Sequence, residues 1–155
     1  MAIRLIRKEP DEVLRKTSRE VTVFDERLGQ LLDDMFDTMY ETMGVGLAAP
    51  QVGVLKRIVV IDVDDNPILM INPKILERRG EQECVEGCLS SPGQYGMIHR
   101  PAIVKLQAQN RNGKFFIITV EGLAAQCVDH ECDHLDGILF KTKVDRMLAP
   151  DEIAQ

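Results

Sequence analysis

The chain has 155 residues, a formal net charge of −6 and no basic block, so we do not expect it to bind nucleic acid directly. No apolar run reaches the roughly 20 residues that span a bilayer, so membrane insertion is not expected either. The length suits one domain, and we expect residues 1–155 to form a single domain that is a monomer by default.

The N-terminus and the cysteines bear on the cellular compartment. Acidic residues and a proline follow the start of the chain too closely for the apolar core of a secretory signal. We therefore expect the protein to be cytoplasmic, or to lie in an organelle if a transit peptide has been removed. Without a secretory route, the four cysteines are expected to ligate metal or to pack as small apolar residues rather than to form disulfides.

A long amphipathic helix is predicted from Asp25, which fits an N-cap, to about Met43. Its apolar residues recur at intervals of three and four and draw one stripe along the helix: Leu28, Leu31, Leu32, Met35, Phe36, Met39 and Met43. No polar residue interrupts the stripe, which indicates a core-facing surface rather than a ligand site. Gly44 and Gly46 are expected to end the helix, and residues 1–24 before it are expected to be irregular or extended.

The middle of the chain carries strand patterns. The β-branched run Arg57–Val63 predicts a buried strand. Residues 69–71 and 74–78 predict two short strands hinged at an Asn-Pro pair. Residues 81–101 contain several Gly, Ser and Pro, and they are expected to be mostly loop.

The last third of the chain predicts a hairpin and then a helix. Residues 103–109 and 114–120 are strand-like and flank an Asn-Gly pair, which is the strongest short signal for a hairpin. Residues 121–136 are helical by pattern, with Gly137 as the C-terminal stop. Strands in hairpins, with helices before and after them, favour an α+β fold with mainly antiparallel sheets.

This last predicted helix contains the sequence HECDH at residues 130–134. His130 and His134 are four residues apart, so both project from one helical face and can share a metal ion, with Glu131 beside them. A solvated helix with two surface histidines is the alternative, but the apolar residues of the same helix indicate partial burial. The pattern favours a metal-dependent hydrolase in which Glu131 is the proton-transfer base.

A catalytic metal site of this kind normally takes a third protein ligand and keeps one position open. His99 is the remaining histidine, and its neighbours indicate an exposed loop. Cys127 and Cys132 lie on the helix but are offset from its histidine face, so both are expected to pack. Cys84 and Cys88 lie in the predicted loop, and the pattern alone does not choose between them.

Three segments together resemble the peptide deformylase family: GVGLAAPQVG at 44–53, EGCLS at 86–90 and HECDHLDG at 130–137. Each segment is short, but their joint presence in this order is highly specific, and the surrounding pattern matches over nearly the whole chain. The resemblance implies that family's α+β fold, with mainly antiparallel sheets around a C-terminal helix that carries the histidine motif, and with a long N-terminal helix.

The resemblance also implies a metal site and a reaction. Cys88 would join His130 and His134 as the third ligand, with ferrous iron as the physiological metal and zinc, nickel or cobalt as possible occupants. The reaction is removal of the formyl group from N-formylmethionyl peptides emerging from the ribosome, with release of formate. Metal-bound hydroxide would attack the formyl carbon, and Glu131 would act as general acid and base.

Further roles follow from the resemblance alone. The Gln51 amide and the Leu89 backbone N–H would donate hydrogen bonds to the charge that develops on the formyl oxygen. Substrate contacts would come from two segments that pair with the peptide like an added strand: Gly44, Val45, Gly46, Leu47, Glu86 and Gly87. The C-terminal helix with which some members dock on the ribosome is expected to be short or missing.

Two positions depart from the family's pattern. Asp129 stands where a glutamine commonly precedes the first histidine of the motif, and Tyr95 stands where many bacterial members carry an arginine that contacts substrate. These departures leave open a related metal-dependent amidase with another acyl or peptide preference. A structural zinc module, with Cys84 as the fourth ligand, is the alternative from another class, and Glu131 and Gln51 argue against it.

Overall fold

The computed structural model describes residues 2–153, which form two β-sheets and three α-helices. The helices are α1 (Glu26–Glu41), α2 (Leu123–Leu135) and α3 (Pro150–Ile153). The strands are β1 (Gly46–Ala48), β2 (Ile58–Val63), β3 (Asn66–Arg79), β4 (Gln82–Cys88), β5 (Ser91–Arg100), β6 (Ile103–Gln109), β7 (Phe115–Glu121) and β8 (Arg146–Met147). Every pairing between these strands is antiparallel, which confirms the predicted α+β class. Within residues 2–153, no helix is both long and apolar enough to cross a membrane.

Helix α1 begins where the sequence predicts it. The carboxylate of Asp25 accepts a hydrogen bond from the Leu28 N–H at 2.9 Å, which satisfies one of the N–H groups that the first helical turn leaves unpaired. The helix ends slightly before Met43, because Met43 adopts a left-handed conformation with φ 57°. The Gly44 N–H then closes the last turn with a hydrogen bond of 2.9 Å to the helix backbone.

The five-stranded sheet, in the order β1-β2-β3-β6-β7, separates two cores. Ile58 and Val60 of β2 join the core that contains α1, whereas Val59 and Ile61 join the core that contains α2. The two helices therefore cover opposite faces of the sheet. Burial on both faces explains why β2 is apolar without the alternation of a half-exposed strand.

The prediction of two short strands around Asn72 is wrong, because β3 runs unbroken through this point. Asn72 has φ 51°, and the pairing of β3 with β6 shifts register beside it, which marks a β-bulge. The Asn72 side chain accepts from the Val21 N–H at 2.8 Å and donates to Gln109 Oε1 at 2.7 Å. Pro73 is tolerated in β3 because it directly follows this bulge.

The prediction that residues 81–101 are mostly loop is also wrong, because they form the β4–β5 hairpin. With β8 added to β5, this hairpin makes the second sheet, in the order β4-β5-β8. Buried side chains hold it: Cys84 and Glu86 on β4, and Ile98 and Arg100 on β5. Two of these four residues are charged, and a charged residue gives no sequence signal of a core-facing position.

The remaining predictions agree closely with the structure. Strands β6 and β7 pair around the predicted turn, in which Gly113 has φ 83°. Helix α2 ends just before Gly137, which has φ 73° and follows the helix as a C-terminal stop. Residues 2–24 are largely irregular, apart from a short 3₁₀ turn at Glu12–Arg15.

Candidate metal centre

Helix α2 buries ionisable side chains, which are rarely buried unless they are paired or bind a metal. The buried acids and histidines of α2 are Asp129, His130, Glu131, Asp133 and His134. The rings of His130 and His134 lie on one side of the helix, with their centroids 5.0 Å apart. Their burial excludes the alternative of a solvated helix with two surface histidines.

Cys88, the last residue of β4, brings a third ligand atom to the two histidines. Its Sγ lies 3.3 Å from Nε2 of His134, and one ligand atom from each of the three residues lies within 4.8 Å of the others. In the described part of the chain, these are the only three residues of ligand type that converge in this way. Cys84 packs with Ile98 and is not part of the group, so the closed four-ligand zinc module lacks its expected fourth ligand.

The remaining histidine and cysteines behave as the sequence predicts. His99 is at the surface, although it lies on β5 rather than in a loop, and its ring contacts Asp145 at 2.6 Å. Cys127 and Cys132 pack in the core beneath α2. All four cysteines are free thiols, in agreement with the prediction against disulfides.

The orientation of His130 is set from β4. Its Nδ1 is hydrogen-bonded to Glu86, so Nε2 is the ring nitrogen that remains for a metal. Glu86 in turn accepts two hydrogen bonds from Arg100, at 2.5 and 3.1 Å. Burial alone would raise the pKa of Glu86, but the hydrogen bonds from His130 and Arg100 outweigh it and lower the pKa to about 2. Glu86 is therefore held as a carboxylate behind the ligand.

Arg100 joins the hairpin to α2 and is the main functional residue that the sequence did not reveal. It is fully buried, and its guanidinium also contacts Asp129 at 3.1 Å and Asp133 at 2.7 Å. Arg78 of β3 adds a second cation to Asp129, at 3.0 Å. The acid at position 129 is thus paired by two arginines on two strands. No pattern pointed to Arg100, because its segment was expected to be an exposed loop.

The Glu131 carboxylate is buried beside the histidines and is not used by the fold. Its Oε1 has no hydrogen-bond partner in the described part of the chain. A Cβ on Gly46 would lie 2.6 Å from Oε2 of Glu131, so only glycine lets the β1 backbone pass this close. Burial raises the pKa of Glu131 to about 7, against the lowering effect of His130.

The turn after β1 carries Gln51, whose side chain reaches the Cys88 segment. Its Oε1 accepts a hydrogen bond from the Ala48 N–H at 3.0 Å, which fixes the amide. Its Nε2 then points toward the site, 3.2 Å from Ser90 Oγ and 3.5 Å from Cys88 Sγ. The resemblance selected Gln51, but the sequence did not identify Ser90, whose hydroxyl accepts a hydrogen bond from the Gln51 amide.

A cavity of about 480 Å³ opens beside these groups, within the usual size range of ligand sites. Gln51, Leu89, Cys88, His130 and Glu131 all line it. The expected substrate contacts Gly44, Val45, Gly46, Glu86 and Gly87 line it as well. Leu47 does not, since its side chain is buried in the core beneath α1. Leu47 therefore offers a bound peptide its backbone, in edge strand β1, and not its side chain.

The residues present fit a divalent metal ion. One thiol and two imidazoles form a three-ligand set of the type found in catalytic sites. Burial lowers the pKa of His130, but the negative charge of Glu131 and the hydrogen bonds to Cys88 and Glu86 outweigh this and raise the pKa well above its usual value. The same negative field favours a cation at the converging ligand atoms.

Comparison with known proteins agrees with this site. The chain matches the family model of polypeptide deformylase over residues 3–149. It is 58% identical over 155 residues to peptide deformylase of Acetivibrio thermocellus, covering 99% of this chain and 90% of that protein. It is 50% identical over 156 residues to peptide deformylase 1 of Bacillus subtilis, covering 99% of this chain and 98% of that protein.

Solved structures give the same result. The crystal structure of peptide deformylase from Thermotoga maritima superposes with a TM-score of 0.92 at 41% sequence identity, covering 94% of this chain and all of that one (100%). The structure of a peptide deformylase from Legionella pneumophila superposes with a TM-score of 0.89 at 49% identity, covering 97% of this chain and 89% of that one. From its sequence, its fold and its Cys88, His130 and His134 group, this chain belongs to the peptide deformylase family.

Proposed function

We propose that this chain removes the formyl group from the N-terminal formyl-methionine of new polypeptides, in a metal-dependent hydrolysis that releases formate. One observation carries the proposal: in a member of this family, Cys88, His130 and His134 converge, and a cavity opens against Cys88, His130 and buried Glu131. We further propose that residues 1–155 act as one catalytic domain, of which residues 1, 154 and 155 lie outside the described part.

The three ligands would hold one divalent metal ion. We assign ferrous iron as the physiological metal, with zinc, nickel and cobalt as other occupants, because the ligand set alone does not select iron. Three protein ligands are typical of catalytic sites that keep one position for water or substrate. When bound, the ion supplies Lewis acidity, which strengthens water as a nucleophile and polarises a carbonyl group.

Glu131 would carry the proton. It takes a proton from the attacking water and later delivers one to the nitrogen of the departing amine, as the bond between the formyl carbon and that nitrogen breaks. The products are formate and a free N-terminal amine. Two observations support this role: the carboxylate is buried at the cavity wall, and its Oε1 is not engaged by another described residue.

Gln51 and Leu89 would stabilise the negative charge on the former formyl oxygen. The Gln51 amide is held by Ala48 and Ser90 with its Nε2 toward the cavity, and Leu89 follows Cys88 directly. Donors fixed in advance lower a barrier because they need no rearrangement when the charge appears. Each is worth about 3–4 kcal/mol.

The substrate backbone would add to a sheet edge. Strands β1 and β4 are both edge strands, and the cavity lies between them, with Gly46 on one side and Gly87 on the other. Backbone pairing holds substrates of varying sequence, because the main-chain hydrogen bonds form whatever the side chains are. Glu86 would contribute its backbone, since its carboxylate is committed to His130 and Arg100.

The test is formate release from formyl-Met-Ala-Ser by protein loaded anaerobically with iron. We expect turnover of the formyl peptide and none of acetyl-Met-Ala-Ser. The related-amidase alternative predicts the reverse, so cleavage of only the acetyl peptide by folded, metal-loaded protein would reject the proposal in its favour.

The metal assignment is tested separately. Apoprotein reloaded with iron, nickel, cobalt or zinc in parallel should be most active with iron, at equal metal content per chain. X-ray absorption should show one sulfur and two nitrogen ligands from the protein. Equal or higher activity of the zinc form would contradict the choice of iron.

A further inference from the structure

The mouth of the cavity has an unusual surface for a chain in which 28% of residues are charged. Five exposed apolar side chains, between 37% and 86% exposed, surround it and are called here the apolar mouth: Met43, Val45, Val85, Tyr95 and Leu123. A contiguous apolar surface of this kind marks a binding region more often than scattered single residues do.

The cavity lining also lacks exposed charge. Among the described residues that form it, there is no lysine, arginine or aspartate. Its acids, Glu86 and Glu131, are buried, as is His130. The lining also includes two uncharged amide side chains that are not fully buried, Gln94 and Gln126. A substrate residue at the mouth would therefore meet mainly apolar atoms and no exposed charged group. Transfer of an apolar side chain onto such a surface is favourable, whereas a charged side chain would lose water without gaining a partner.

Met43 shows that part of this mouth does not serve folding. Its φ of 57° is the left-handed conformation that ends a helix, where glycine is the residue without strain. Its side chain is 86% exposed, so the fold gains almost no burial from it. A methionine here instead presents a flexible apolar side chain to whatever occupies the cavity.

Val85 of edge strand β4 and Tyr95 of β5 both line the cavity from the β4–β5 hairpin. Gly87 pairs with Tyr95 across the hairpin, and a Cβ on Gly87 would lie 2.6 Å from the tyrosine ring, so the ring covers that backbone directly. Val85 is two residues before Gly87, and in a strand this puts it on the same face. Val85 and Tyr95 therefore stand on the same face of the hairpin as Gly87, which directly precedes the ligand Cys88.

From this geometry we propose that the apolar mouth makes the enzyme select formylated chains with apolar residues directly after the formyl-methionine. The inference rests on the proposed deformylase function and adds a preference within it. The occupant is the substrate itself, because the mouth is continuous with the cavity that Cys88, His130 and Glu131 line.

The first test compares kcat/KM for formyl-Met-Leu-Ser and formyl-Met-Asn-Ser, whose second residues are similar in size. We expect the leucine peptide to be favoured about tenfold, equivalent to about 1.4 kcal/mol, which is part of the value of burying one leucine side chain. Equal kcat/KM values would overturn the inference and leave the proposed function standing. Turnover of neither peptide would reject the proposed function itself.

Two variants assign the preference to the mouth. Val85→Thr keeps the shape of the side chain and replaces one methyl group with a hydroxyl, and it should reduce the leucine preference to about threefold. Val23→Thr is the matched control, since Val23 is also exposed but lies outside the cavity lining. An unchanged preference in Val85→Thr, or an equal reduction in Val23→Thr, would overturn the proposal.

Met43→Gly separates binding from folding. The substitution removes a strained left-handed residue and an exposed side chain, so Tm should stay the same or rise while the leucine preference falls. A purely structural role for Met43 predicts the opposite: an unchanged preference with a lower Tm. That result would remove Met43 from the mouth and contradict the proposal.

Discussion

Helices α1 and α2 cover opposite faces of the same sheet but bury different kinds of side chain. The buried residues of α1 are mainly leucine and methionine, with Asp34 and Thr38 as polar exceptions. The buried residues of α2 include five ionisable groups. Burial of a charge costs stability unless a partner compensates for it. In α1 the polar groups bind the N-terminal segment, whereas in α2 they form the metal centre.

The two helices obtain partners for their buried polar groups from different parts of the molecule. Asp34 and Thr38 of α1 accept hydrogen bonds from the Arg4 side chain and backbone, at 3.0 and 2.9 Å, so the N-terminal segment, which is far from the metal centre's ligands in sequence, satisfies them. The acids of α2 depend on Arg100 from the other sheet. Substitutions in α1 should therefore change stability alone, and substitutions in α2 should separate chemistry from stability.

The largest effect is expected for Glu131→Gln, which keeps the shape of the side chain and removes the proton-transfer base. Formate release should fall by about 10²- to 10⁴-fold, with bound metal and Tm nearly unchanged. Glu41→Gln is the matched control, because it makes the same change at the exposed end of α1. Wild-type turnover by metal-loaded Glu131→Gln would show that another group moves the proton.

Arg100→Met should destabilise the fold by about 3–5 kcal/mol, because it leaves buried carboxylates without their shared cation. Urea denaturation measures this change, and metal titration should show an affinity about 10- to 100-fold weaker, since Glu86 then orients His130 less firmly. Arg78→Met removes the half-exposed partner of Asp129 and should cost no more than about 1 kcal/mol. Similar losses in the two variants would contradict the central place of Arg100.

Leu32→Ala tests the apolar side of the comparison. Leu32 is fully buried in the core that contains α1, so the substitution should cost about 2–5 kcal/mol of unfolding free energy. At temperatures where the variant is folded, kcat should equal that of the wild type. Leu5→Ala, at an exposed leucine, should change stability by less than about 0.5 kcal/mol. A loss of kcat in folded Leu32→Ala would show that α1 also shapes the site.

Asp34→Asn should have the smallest effect, about 1–2 kcal/mol at pH 7. Burial raises the pKa of Asp34, but hydrogen bonds from Gln30, Arg4 and the Ala2 amide outweigh it and lower the pKa. A lowered folded-state pKa adds stability above the unfolded value near 4, and this stability is lost as the pH falls through the folded value. The stability gap between the two proteins, measured by urea denaturation, should therefore narrow below about pH 4. A gap that stays constant down to pH 2 would contradict this charge-dependent role.

Periodicity and capping were sufficient to predict α1. The Asp25 cap and the 28–39 stripe depend only on neighbouring residues, and both appear as expected. The Asn72 bulge and the β4–β5 hairpin were not predictable in this way. The bulge is stabilised by Val21 and Gln109, which are distant in sequence, and the hairpin is stabilised by buried Glu86 and Arg100.

The candidate site likewise has one part that the sequence predicted and another that it did not. His130, Glu131 and His134 could be recognised from the sequence alone, because a spacing of four residues places two ligands on one helical face. The sequence pattern left the third ligand open, and only its resemblance to a family selected Cys88. The contacts that make these residues a site come from residues 37 to 46 positions apart, such as Gln51 with Cys88 and Cys88 with His134.

The sequence by itself determined the local features: the capped helix α1, the hairpin of β6 and β7, and the histidine motif of α2. Each depends on backbone geometry and side-chain spacing within one segment. Only the tertiary structure decided how the buried charges are compensated, with Arg100 shared among three acids, and which side chains form the apolar mouth. These features depend on burial and on charges brought together from separate strands, and neither quantity is encoded in any single segment.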